Sequence, residues 1–263
     1  MAKAKAKAVA KRKKTEVAVL DADAFAQAAG QGVTDLGEGD LAMPMIKSLQ
    51  KVSPELDDHT DAKPGDIYNS VTQERVSGSE GIRVVNCAYS LTFIEWEPRG
   101  TGSGAPFAIY SAGDKLPATE RGEDNKDYVV DGGGRYLERT AQHYILVFDD
   151  EGMTQQALLP MKSTQLKKSR QWNSAMKATK MQDSRGALFV PPRFSHIWRL
   201  TTALEENKNG SWYGWAVTKE GVIKDPALYA EARQFHESIV AGQVKVRHVR
   251  EEDRTDDDEN IPF

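Results

Sequence analysis

The order in which strand-like and helical patterns follow one another limits this chain's fold more than any composition figure does. The clearest pattern begins at Val85. Val85, Cys87, Tyr89, Leu91 and Phe93 fall on one face of an extended run, with Asn86, Ser90 and Thr92 on the other, the two-residue period of a half-buried strand. The run should stop near Trp96, ahead of Pro98 and the Gly100–Gly104 loop. Residues 111–135 are polar and Gly-rich and predict a long loop or a weak hairpin. His143–Phe148 and Gln155–Pro160 then read as two strands around the turn Asp149-Asp150-Glu151-Gly152, followed by a helix over about Ser163–Lys180. Phe194–Leu204 and Ser211–Thr218 flank Asn207-Lys208-Asn209-Gly210, a turn sequence suited to a hairpin. Asp225 and Pro226 then give the cap and first residue of a final helix, whose apolar stripe is Leu228, Ala232, Phe235 and Ile239.

This order predicts a mainly β fold with flanking helices. Three strands, an inserted helix and a returning hairpin match an OB-like barrel, with one helix between its third and fourth strands and another at the C-terminus. Short pieces precede it. Met43–Gln50 reads as a packing element, Gly65–Asn69 as a turn entering a short strand, and Val17–Ala29 as a helical piece ahead of the Gly-rich stretch 30–39.

Charge sets the limits of the folded body. Residues 1–14 carry Lys3, Lys5, Lys7, Lys11, Arg12, Lys13 and Lys14 and no acid, whereas the last thirteen hold seven acids against Arg254. Like charges at this density repel, and neither end has the apolar surface to offset the entropy of ordering. The expected organisation is therefore a disordered basic arm over 1–40, a domain over 41–245 and a disordered acidic tail over 246–263. The whole chain is −4, and removing both charged ends leaves −5 for the body. An anionic ligand must meet a local basic patch, not a basic domain.

Other classes are disfavoured. No apolar run approaches the roughly 20 residues of a membrane span, and Val17–Leu20 falls far short of a secretory signal. Cys87 is the only cysteine, which rules out an internal disulfide or a thiolate zinc cage and points to a reducing compartment such as the cytoplasm. His59, His143, His196, His236 and His248 lack metal-ligand spacing, Gly100–Gly104 lacks the Gly-Lys-Ser/Thr ending of a phosphate loop, and Asp149–Glu151 reads as a turn. No enzyme and no cofactor are expected.

The last eight residues are Asp256-Asp257-Asp258-Glu259-Asn260-Ile261-Pro262-Phe263. They resemble the acidic tip of bacterial single-stranded-DNA-binding proteins, with Glu259 and Asn260 inserted. The resemblance implies that Asp256, Asp257, Asp258, Glu259, Ile261, Pro262 and Phe263 recruit replication or recombination proteins. The chemistry suits that role: Phe263 can fill an apolar pocket, its terminal carboxylate can pair with a basic rim, and the acids steer the chain toward it. The body, through Gln50-Lys51-Val52-Ser53-Pro54, Gly65-Asp66-Ile67-Tyr68-Asn69 and Trp96-Glu97-Pro98-Arg99, is similar to a family of tailed-bacteriophage proteins over about residues 41–220. That similarity implies a phage replication or recombination protein, working in the cytoplasm of an infected bacterium.

A cationic segment lies inside the acidic body. Lys162, Lys167, Lys168, Arg170, Lys177, Lys180, Arg185 and Arg193 stand against Asp183 alone. On the predicted helix, Arg170, Asn173, Lys177 and Lys180 share one stripe, and Ser169, Trp172, Met176 and Thr179 the next. The second stripe reads equally well as the buried side of an amphipathic helix. Single strands bind to a cationic track with flat rings on which bases stack, and Phe194, Trp212 and Tyr213 are the favoured rings over Trp198 and Trp215. The expected function is single-stranded-DNA binding. The alternatives are a virion-associated interaction protein whose basic arm neutralises DNA, and a strand-annealing factor that self-associates into rings.

Overall fold

The computed structural model describes residues 25–33, 42–98, 100–101, 104–208 and 210–244. Two units separate at Asp40. In the first, residues 25–33 form successive helical turns, with the Ala28 amide donating to the Phe25 carbonyl at 3.0 Å. The rest of the expected basic arm, and most of the expected helix at 17–29, lie outside the described residues, as does the acidic tail.

The second unit begins with β1 (Ile46–Ser48), the short α1 (Glu55–Asp58), β2 (Ile67–Asn69) and β3 (Arg75–Val76). Then come β4 (Ile82–Trp96), β5 (Ala108–Ser111), β6 (Thr119–Arg121), β7 (Asp127–Val129), β8 (Tyr136–Phe148) and β9 (Thr154–Lys162). After α2 (Gln165–Ala178) come β10 (Met181–Gln182), β11 (Leu188–Phe189), β12 (His196–Asn207), β13 (Gly210–Val222) and α3 (Pro226–Val240). All strand pairing within the sheets is antiparallel.

β4 and β8 pair along nearly their whole length, and the sheet forks around them. At one end β12 joins the start of β4 and carries β13, while β9 lies on the far side of β8. At the other end β5 joins the close of β4, and β7 and β6 extend from the start of β8. The path β4-β8-β9, then α2, then a β12–β13 hairpin returning to β4 is the predicted order. None of the sheets closes into a barrel among the described residues, because β9 and β13 share no ladder. The segment around β1 stands between them. On one side the Leu158 amide donates to the Pro44 carbonyl at 2.7 Å beside a single parallel bridge, Met45 to Leu158. On the other, the Gln50 side chain accepts from the Tyr213 amide at 2.8 Å and donates to its carbonyl at 3.0 Å.

Side-chain alternation on β4 breaks where the sequence pattern seemed most regular. A β-bulge falls between Asn86 and Ala88. Before it, Val84 belongs to the interior cluster with Ile145, Leu159, Trp172, Trp198, Leu200 and Trp215. Val85 and Cys87 point the opposite way, into a cluster with Leu146, Phe194, Ala232 and Phe235, whereas Tyr89 and Leu91, past the bulge, pack against the interior. The five residues expected on one face are thus divided between two, because one extra residue reverses the alternation beyond it. Both faces are covered here, one by α2 and the other by α3.

The ends of α3 are as the sequence predicts. The Asp225 carboxylate accepts from the Ala227 amide at 2.9 Å, and Pro226, whose missing donor costs nothing in the first turn, starts the helix. Its stripe seals the outer face of the sheet, with Ala232 and Phe235 fully buried.

Candidate nucleic-acid interface

α2 divides by face. Ser169 and Trp172 are buried; the Trp172 ring stacks on His143 at 4.8 Å between centroids and meets Trp198 edge-on at 5.9 Å. The Ser169 hydroxyl lies 2.8 Å from His143 Nε2. This stripe is therefore the core side of an amphipathic helix. Lys167, Arg170 and Lys177 occupy the exposed side, and Lys180 lies exposed just past the C-cap.

The exposed side borders an open groove of about 680 Å³, with Ser163, Thr164, Lys167, Lys168 and Arg170 on one wall. The opposite wall is the tip of the β12–β13 hairpin, with Glu205, Glu206, Asn207 and Trp212. Four of the residues singled out from the sequence, Lys167, Lys168, Arg170 and Trp212, meet here across more than 40 residues of chain. Glu205 organises the far wall, pairing with the Lys168 ammonium and accepting from Trp212 Nε1 at 3.2 Å. Both walls are held in place through the backbone of β13, whose Trp215 amide donates to the Gln165 side chain at 3.1 Å. The helix lysines and arginine give the groove its positive wall, and Trp212, half-buried, gives it a ring.

The other predicted residues are placed elsewhere. Lys162 is exposed, lies 3.3 Å from Glu138 and does not line the groove. Arg185, beside Asp183, is exposed in the β10–β11 hairpin. Tyr213 is half-buried and packs on Gly65, where a Cβ would stand 2.5 Å from its ring. It clamps β13 to the β1 segment. Phe194 is 6% exposed, enclosed by Tyr229 and His236 of α3. The expectation of an exposed stacking ring fails there, because α3 lands on it. Trp198 and Trp215, each 3% exposed, are core as expected.

Arg193 turns inward. Its guanidinium donates to the side-chain carbonyls of Asn173 at 3.0 Å and Asn86 at 3.3 Å and lies over the Tyr89 ring. Asn86 in turn lies 2.9 Å from His143 Nδ1. With its own carbonyl turned to Arg193, Asn86 donates to Nδ1, which leaves the imidazole proton on Nε2, facing Ser169. Burial, aided by the Arg193 charge, lowers the His143 pKa to about 3. The chain Arg193–Asn86–His143–Ser169 is a neutral-histidine core network. It fixes the sheet under α2 and so the position of the groove wall. Burial likewise pushes the Cys87 thiol far above its usual pKa.

Two exposed apolar sites escaped the sequence reading, each with one aromatic ring. Leu188, Phe189 and Val190, at 72%, 42% and 47% exposure, project from the β10–β11 hairpin within the cationic segment. An apolar triplet between Arg185 and Arg193 was the available signal. On the forked arm, the Arg135 guanidinium lies 3.9 Å over the exposed Phe107 ring.

Residues 12–245 match the family model described as "Pam3 phage gp34-like protein". The chain belongs to this family. It is thus a bacteriophage-type protein, as the body's similarity implied, and the match spans the whole folded body and stops ahead of the acidic tip. No curated protein and no solved structure matches the chain. No helix among the described residues is long and apolar enough to cross a membrane.

Proposed function

We propose that this phage protein binds single-stranded DNA without sequence preference, using an OB-like open barrel. Its acidic tip, Asp256–Phe263, then recruits replication or recombination proteins. The observation that supports this reading is the groove, where Lys167, Lys168 and Arg170 face Trp212 on a body that is otherwise negative. Phosphates displace counterions onto the helix cations, and a base stacks on the indole of Trp212. Glu205 and Glu206 on the far wall keep the groove from being a general polyanion sink; the strand runs along the helix side. The OB-like reading rests on strand order, with the β1 segment filling the gap that an OB barrel closes by a ladder.

The test is fluorescence anisotropy of the full chain with single- and double-stranded oligonucleotides over a salt series. Tight, salt-sensitive, single-strand-selective binding supports the reading, and equal affinity for both forms opposes it. The seven cations of residues 1–14 favour one other reading, DNA neutralisation by the arm alone. Deleting the arm separates the two: it abolishes binding under that reading and leaves single-strand preference intact under the proposed one.

A further inference from the structure

Beside the groove lies a second, deeper cleft of about 290 Å³ between α2 and the β12–β13 hairpin. Its lining includes three indoles, Trp172, Trp198 and Trp215, each at most 3% exposed. At its mouth are Ala175, exposed on α2, and Ala216, half-buried on β13. Lys168, Gln171 and Val217 complete the lining. That volume is close to the lower end of the roughly 300 to 1,000 Å³ of small-ligand pockets, room for one planar heterocycle.

Two further observations narrow the occupant. The indole N–H groups of Trp172 and Trp198 are both buried without an acceptor, and a buried donor left unpaired is costly. A ligand suited to this cleft therefore combines a flat face with acceptor atoms on its edge. Lys168 lines the cleft and the open groove alike, so a phosphate held at its ammonium places the attached nucleoside at the cleft entrance.

We propose that the tryptophan-lined cleft takes one unstacked nucleobase of the bound strand, its edge acceptors meeting the unpaired indole N–H groups while the adjoining phosphate rests on Lys168. This deepens the single-stranded-DNA reading and rests on it. A strand bound this way is read at one position by enclosure of a base and elsewhere by charge and by the Trp212 ring. An unpaired base is required, since a duplex offers no base edge that can enter so narrow a space.

The experiment titrates the full chain with a thymidine oligonucleotide of about 16 nucleotides and with an abasic strand of the same length. Wild type is compared with Ala175→Leu and Ala175→Gln, two exposed-helix substitutions that fill the mouth and suit an α-helix. Wild type is expected to prefer the base-bearing strand by about ten-fold or more. Both variants are expected to lose the cleft's share of that preference, to keep the share that stacking on Trp212 supplies, and to retain their salt-dependent affinity for the abasic strand. If both retain the full preference, the cleft is not a base site, and the wider DNA-binding reading survives. If wild type binds neither strand, that reading fails and the cleft proposal with it.

Discussion

Neutralising Lys167 and Arg170 together gives the sharpest test of where DNA phosphates lie. Both are exposed on α2 and line the groove, and neither has an ion-pair partner among the described residues, whereas Lys168 is already paired with Glu205. Each single-strand phosphate contact contributes about −0.7 to the slope of log affinity against log salt. If the three helix cations each contact one phosphate, the slope is about −2, and wild type loses roughly 20-fold in affinity between 50 and 200 mM salt. The double variant Lys167→Gln/Arg170→Gln keeps one contact, so its loss over the same range is about three-fold. Folding should be unaffected, since both positions face solvent and glutamine is a good helix residue. The assay is anisotropy with a labelled thymidine oligonucleotide at several salt concentrations, with circular dichroism as control. An unchanged slope in the folded variant refutes the placement of DNA in this groove and turns attention to Phe189 of the β10–β11 hairpin or to Phe107.

Four further outcomes are expected. Trp212→Ala should weaken single-strand binding by about 1 to 3 kcal/mol and reduce oligonucleotide quenching of tryptophan emission by the share of that indole; unchanged affinity with unchanged quenching would place the stacking ring elsewhere. His143 is neutral in the folded state with its pKa lowered to about 3, below the roughly 6.5 of an unfolded chain. Its contribution is therefore complete above about pH 6.5 and declines as pH falls toward 3, a loss of about 2 kcal/mol between pH 7 and pH 5. Urea midpoints across that range should show the slope, and His143→Gln should flatten it. Deleting residues 251–263 should raise single-strand affinity, most at low salt, because a mobile acidic chain competes with phosphates. Phe263→Ala should leave DNA affinity unchanged while weakening capture of host or phage replication proteins by about thirty-fold; equal capture by both would reduce the tail to a solubiliser.

Local chemistry was legible in the sequence, and long-range packing was not. Asp225-Pro226 and the Asn207–Gly210 turn encode their structure within a few residues, so α3 and the β12–β13 hairpin lie where the pattern puts them. The bulge at Asn86–Ala88 has no local signal: with both sides of β4 covered, apolar residues satisfy either face, and register is chosen by α2 and α3 together. The missing ladder between β9 and β13 has a similar cause, since Gln50 reaches β13 across 163 residues of chain. The exposure of Lys167, Arg170, Lys177 and Lys180 was readable because charge density survives in one dimension, whereas Asn173, expected on the same stripe, turns to Arg193. Whether Phe194 is exposed was not readable, because it depends on where a helix thirty residues later comes to rest.

The most direct measurement of the central claim is the ratio of single- to double-strand affinity for the chain lacking residues 1–24, at about 150 mM salt. Without the arm, its seven cations cannot supply the binding. The shortened chain is expected to bind a thymidine strand at least ten-fold more tightly than a duplex of equal length, with tryptophan quenching on binding. Equal affinity for the two, or binding lost along with the arm, would contradict that claim.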